Sequence, residues 1–150
     1  MEELVKKLKE RKEYISFMES CTGGYLASSI TNISGASDVL KVSIVTYSNE
    51  YKLKFGIKKE TIDKYTVYSK EVAEEMAKQI SIFADSEWGI GVTGKLEIQN
   101  QDDNRVYFSI YNKKSNLFIS EKLNVVKENR EHMKEYILIE IVKKIKSLLY

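Results

Sequence analysis

The 150-residue chain is 43% hydrophobic and 31% charged, the proportions of a soluble globular domain, and it has room for one core; a disordered chain and a multidomain enzyme are both excluded. Lys and Arg number 24 against 22 Asp and Glu, a formal net charge of +2, and the signs alternate along the sequence, so the basic stripe of a nucleic-acid binder is absent. No apolar run approaches the roughly 20 residues that cross a bilayer, and the amphipathic start MEELVKKLKERKEY has no signal-peptide core, so a cytoplasmic protein without a membrane partner is expected.

One cysteine, Cys21, and one histidine, His132, leave no internal disulfide and no Cys/His set for structural zinc. His132 is also the only base open to a Ser-His-Asp arrangement. It lies in the helix-like, charge-rich stretch KENREHMKEY, where a solvated face suits it better.

In chain order, Leu4, Val5 and Leu8 mark an amphipathic helix over 2–11. The run YISFM at 14–18 reads as a strand that stops abruptly at Glu19-Ser20-Cys21-Thr22-Gly23-Gly24, and YLASSITNI after it reads as a helix. VLKVSIVTY at 39–47 is a second strand, followed by a polar loop over 49–55 that bears Lys52. A short helix is predicted over 59–65. A stronger one follows over 69–84, capped by Ser69, with Val72, Met76, Ile80 and Phe83 on its buried face.

WGIGV at 88–92 reads as a buried strand ending at Thr93-Gly94, and the stretches 106–111 and 117–123 form a hairpin turned by NKKSN. Met133, Ile137, Ile141, Ile145 and Leu148 mark a long closing helix over 127–150. Helices and strands that interleave and then give way to an antiparallel pair predict a single α/β domain over 1–150, a mixed sheet covered by helices.

The turn at 19–24 is the most informative stretch. Two hydroxyls, a thiol and two glycines crowd the point where a strand feeds a helix, a place where backbone NH groups favour an anion and a nucleophile can stand exposed. The same residues are also ordinary caps and turn formers. A nucleophilic serine needs a base, and with histidine nearly unavailable the candidates are lysine and tyrosine. Lys52 follows a strand end, and burial among Tyr47, Tyr51 and Phe55 would lower its pKa from about 10.4 toward neutrality. A thiol enzyme built on Cys21 is the poorer choice, because no nearby histidine holds a thiolate.

ESCTGG, the Gly-Ala-Ser turn at 35–37, VSIVTYSNEYK, TVYSKEVAEEMA and GVTG together resemble the C-terminal domain of the CinA family, the nicotinamide-nucleotide amidase or NMN deamidase family, clearly over 19–94 and weakly through 129–131. The resemblance implies a three-layer α/β/α sandwich and hydrolysis of nicotinamide mononucleotide to nicotinic acid mononucleotide and ammonia, a step in NAD recycling. It further implies a Ser-Lys dyad, no metal or other cofactor, and a homodimer.

Carried over by position, Ser20 is the nucleophile, Lys52 its base, and Tyr47 helps to orient or share the proton. Thr22, Gly23 and Gly24 are expected to serve an oxyanion, and Ser37, Thr93, Gly94 and Arg130 to contact substrate, with Lys134 where the family has a second arginine. One departure stands out. Where the family continues with A-G-P-x-G-G, this chain reads Lys95-Leu96-Glu97-Ile98-Gln99-Asn100-Gln101-Asp102-Asp103, in which Leu96, Glu97 and Ile98 resist glycine conformations. The alternative to an amidase is therefore a CinA-like nucleotide-binding or regulatory module with turnover lost.

Overall fold

Ile15–Glu19 (β1) is buried along its whole length, and a strand covered on both faces belongs in the middle of a sheet. The computed structural model, which describes residues 1–96, 105–124 and 129–150, places it there. Leu40–Val45 (β2) and Trp88–Gly94 (β3) flank β1, both parallel to it. Arg105–Asn112 (β4) and Leu117–Asn124 (β5) continue the sheet antiparallel, giving the order β2-β1-β3-β4-β5.

The helices are Glu2–Arg11 (α1), Tyr25–Thr31 (α2), Asn49–Lys54 (α3), Lys59–Tyr65 (α4), Lys70–Ala84 (α5) and Arg130–Leu148 (α6). Apolar stripes of α1, α2 and α6, with Leu8, Ile30 and Ile137 among them, meet Phe17, Ile90 and Phe108 on one face of the sheet. On the other face Val72, Met76 and Ile80 of α5 close over Met18 and Ile57. The result is a three-layer α/β/α sandwich on a mixed sheet. Among the described residues no helix is long and apolar enough to cross a membrane.

Three expectations need correction. The stretch after Ser48 is a helix, α3, and not a loop: the Ser48 hydroxyl accepts from the Tyr51 N–H at 3.3 Å, and Lys54 pairs with Glu50 at 2.7 Å one turn away. Six residues are too few for apolar periodicity to declare themselves. Phe83 is 64% exposed and stands edge-on to Phe55, away from the buried face assigned to it.

The reason lies in β3. A Cβ on Gly89 would fall 2.0 Å from the Ala77 carbonyl oxygen, and one on Gly91 2.3 Å from that of Ala73, so α5 rests directly on strand backbone. The buried stripe therefore runs through Ala73, Ala77 and Ser81 as well, leaving Phe83 on the flank. Finally, Leu149, just past the end of α6, is buried where Leu148 is only partly so; the predicted start of that helix at Lys127 lies outside the described residues.

Glu13 fastens the end of the sheet opposite the site. Its buried carboxylate accepts from Trp88 Nε1 at 2.7 Å, from Lys114 Nζ at 2.7 Å and from Arg11 Nε at 3.0 Å. Burial alone would raise its pKa, but the three donors outweigh it and hold the group at about 2. A carboxylate whose folded pKa is depressed contributes stability above its unfolded value, near 4.5, and loses it as pH falls toward about 2. Glu13→Gln is therefore expected to cost about 2 kcal/mol at neutral pH and to flatten stability against pH between those limits, as read by urea unfolding.

Candidate active site

The connection after β1 runs through α2 on one face of the sheet to β2, whereas the connection from β2 to β3 returns through α5 on the other face. A switch of this kind opens a crevice at the carboxyl ends of the strands, between β1 and β3. The turn at 20–24 stands at that crevice. It is held by Glu19, the last residue of β1 and fully buried. One carboxylate oxygen accepts from Thr22 Oγ1 at 2.6 Å and from the N–H groups of Gly24 and Leu26, both at 3.1 Å. The other accepts from the Ala27 N–H at 3.0 Å and from Ser43 Oγ at 3.3 Å. Gly24 itself, at φ 96°, offers no side chain to cap α2, so the glutamate of the preceding strand satisfies the open N–H groups of the helix instead.

Ser20 sits on this turn, 7% exposed, and Lys52 Nζ lies 3.0 Å from its Oγ. Lys52 is 1% exposed; its other contact is the Thr46 carbonyl, to which it donates at 2.6 Å. Burial pulls the ammonium down from 10.5 to about 8. Among the described residues no carboxylate pairs with it, and desolvation dominates. Asn49 and Lys52, one turn apart on α3, both face the crevice, so the short helix after β2 is what delivers the amine.

The two groups open into a pocket of about 190 Å3 lined, among the described residues, by Ser20, Cys21, Tyr47, Lys52, Gly94 and Arg130, with Asn49, Val67, Tyr68, Lys95 and Leu96 along its wall. Arg130, the first residue of α6, donates to the Tyr47 hydroxyl at 3.4 Å. Lys134, one turn on, brings its Nζ to within 3.5 Å of where a Cβ of Gly23 would stand, so α6 presents two cations to the turn.

Not every expected residue joins this group. The N–H of Gly24 is spent on Glu19 and that of Gly23 on the Ser20 carbonyl at 3.0 Å, while the Thr22 hydroxyl is also bound to Glu19. These three residues build the turn, and those two N–H groups and the hydroxyl are committed to it and not to an oxyanion. Thr93 donates to the Val67 carbonyl at 2.9 Å and lies behind the pocket wall. Ser37 is exposed before the start of β2, in a hollow with Thr31 and Ile33, a strand's length from Ser20. His132 is exposed beside the Asn129 cap of α6. Burial pushes the Cys21 thiol up to about 12, which leaves no thiolate to attack. Of the departing loop, Lys95 and the buried Leu96 line the pocket, and the remainder lies outside the described residues.

The sequence model of the CinA C-terminal domain matches residues 1–149. The chain belongs to the CinA C-terminal domain family. A CinA-like protein of Prochlorococcus marinus (strain MIT 9215) is 50% identical over 92 residues, 61% of this chain and 22% of that protein. Another, of strain MIT 9301, is 44% identical over 112 residues, 71% of this chain and 26% of that protein. The chain thus spans about a quarter of the length of the curated relatives it matches. The fold is shared with the competence/damage inducible protein CihA of Agrobacterium tumefaciens, at a TM-score of 0.92 and 20% identity over 99% of this chain and 92% of that one. A CinA superfamily protein of Enterobacter cloacae matches at 0.89 and 20% identity over 98% and 88% of the two chains.

For this CinA domain, residue-by-residue reading missed the Thr46 carbonyl, whose role depends on backbone geometry, and the wall residues Asn49, Val67, Tyr68, Lys95 and Leu96. Asn49 had a usable signal: once 49–54 is read as a helix, it shares a face with Lys52.

Proposed function

We propose that this CinA domain is a serine amidohydrolase that deamidates nicotinamide mononucleotide by a Ser20-Lys52 acyl-enzyme mechanism. The observation that carries the reading is a buried lysine amine, its pKa lowered to about 8, at 3.0 Å from a serine hydroxyl at the mouth of a pocket. In its neutral form Lys52 takes the Ser20 proton as Oγ attacks the amide carbon. The C–N bond then breaks, and the Lys52 ammonium returns that proton to the departing ammonia. Water, deprotonated by the same amine, hydrolyses the ester and releases the carboxylate. The Thr46 carbonyl holds Nζ in line throughout. Arg130 on the rim supplies the charge that a nucleotide phosphate requires.

The test is release of ammonia and nicotinic acid mononucleotide from nicotinamide mononucleotide by the purified protein. Release is expected, and Ser20→Ala is expected to lower it at least about 1000-fold. No release from folded protein that still binds the nucleotide would favour the binding-module alternative.

A further inference from the structure

One wall of the pocket is built in a way that the Ser20-Lys52 chemistry does not require. Thr66, which ends α4, has φ 68° and ψ 163°, a conformation populated almost solely by glycine and strained for a β-branched residue. Its side chain is exposed, so packing of that side chain does not impose the strain. The ties around it do. The Thr66 N–H donates to the Ile62 carbonyl at 2.9 Å, the Thr66 carbonyl accepts from Ser69 Oγ at 2.9 Å, and the Val67 carbonyl accepts from Thr93 Oγ1 at 2.9 Å. Ser69 Oγ in turn accepts from the Val72 N–H at 3.2 Å, at the start of α5. The segment is thereby fixed to α4, β3 and α5 at once, and the residue held between those ties is Tyr68, half-buried and lining the pocket with Ser20 and Lys52.

The pocket's aromatic residues are Tyr47 and Tyr68. Tyr47 is 63% exposed, with its hydroxyl on Arg130, whereas Tyr68 stands on the strained, fully tied segment. We propose that Tyr68 is the specificity-determining residue of this site: its ring is the surface on which the planar, positively charged ring carrying the scissile amide lies. The assignment rests on the pyridine-nucleotide reading above. A pyridinium entering a pocket that already holds Lys52, Lys95 and Arg130 gains nothing from further cations, and the face of a tyrosine ring is the neutral group that attracts it. Because the backbone carrying Tyr68 is fixed beforehand, little ordering is required when the ligand arrives.

The test is calorimetric binding in the Ser20→Ala background, where turnover does not intrude, with nicotinamide mononucleotide and ribose 5-phosphate as probes. Tyr68→Ala is expected to weaken nicotinamide mononucleotide about tenfold and to leave ribose 5-phosphate, which has no ring, unchanged. Tyr68→Phe, which keeps the ring, is expected to restore nucleotide binding to within about twofold. In the Ser20 enzyme the Tyr68→Ala change should appear in KM and not in kcat. Equal weakening of both probes, or nucleotide binding untouched by Tyr68→Ala, overturns the assignment while leaving the amidase reading in place. Failure of the Ser20→Ala protein to bind nicotinamide mononucleotide at all overturns the nucleotide reading, and the Tyr68 assignment with it.

Discussion

Replacing Lys52 with methionine is expected to lower amide turnover by about 1000-fold or more while leaving the protein at least as resistant to thermal unfolding as before. The two effects share one cause. The amine is buried, with no carboxylate partner among the described residues, and its pKa of about 8 in the folded protein lies below the 10.5 of an unfolded chain. The unfolded state therefore binds the proton more readily, and below pH 8 the buried ammonium works against folding by about 3 kcal/mol. That penalty disappears as pH rises from about 8 through 10.5, so this group makes stability climb with pH across that window. Methionine fills similar space without charge. It forgoes the contact with the Thr46 carbonyl, which offsets part of the gain.

Two measurements check the argument. The difference in unfolding free energy between Lys52→Met and the unsubstituted protein should shrink as pH is raised from 7 to 10. In the unsubstituted enzyme kcat/KM should rise with pH to a plateau above about 8, where the amine is free to take a proton. A profile flat from pH 6 to 10 would show that Lys52 is not the base.

How far the site was legible follows from what kind of information each residue carries. Ser20 and Lys52 were readable because each stands just past a strand end, and strand ends of an open α/β sheet converge. The order of the strands was not readable. Nothing in the local pattern of YISFM distinguishes a central strand from an edge strand until its neighbours are known. Gly89 and Gly91 read as part of a buried strand, yet their use, admitting the backbone of α5, depends on a helix five residues upstream in sequence and packed across them in space. The Gly-Gly pair at 23–24 misled in a different way. Flexible backbone beside a nucleophile suggests free N–H donors, and here those donors are consumed by Glu19 and the Ser20 carbonyl. Ser37 was placed by resemblance alone, and chain topology puts it at the start of β2, whereas the pocket opens at that strand's end.

Glu19 is the residue whose sequence context said least and whose substitution should say most. Its carboxylate is an acceptor on both oxygens, and three of the five donors it meets are backbone N–H groups, which cannot turn away. Glu19→Gln preserves shape but converts one oxygen into an NH2. Whichever way the amide lies, it faces at least one fixed N–H, the Ala27 donor on one side or the Gly24 and Leu26 donors on the other. The Thr22 and Ser43 hydroxyls can rotate to accept, so the loss is partial, about 3 kcal/mol and about 10 °C in Tm. The turn that carries Ser20 then loses its register against Lys52, and a displacement of about 1 Å is enough to cost about 100-fold in kcat. Since Glu19 touches neither Lys52 nor the pocket, the pH midpoint of the residual activity should stay where the unsubstituted enzyme has it, and KM should change little. Thr22→Ser, which keeps one of the hydroxyl donors, should retain near-normal kcat. A Glu19→Gln enzyme with full kcat would show that Ser20 is positioned by the strand and helix alone, without the carboxylate between them.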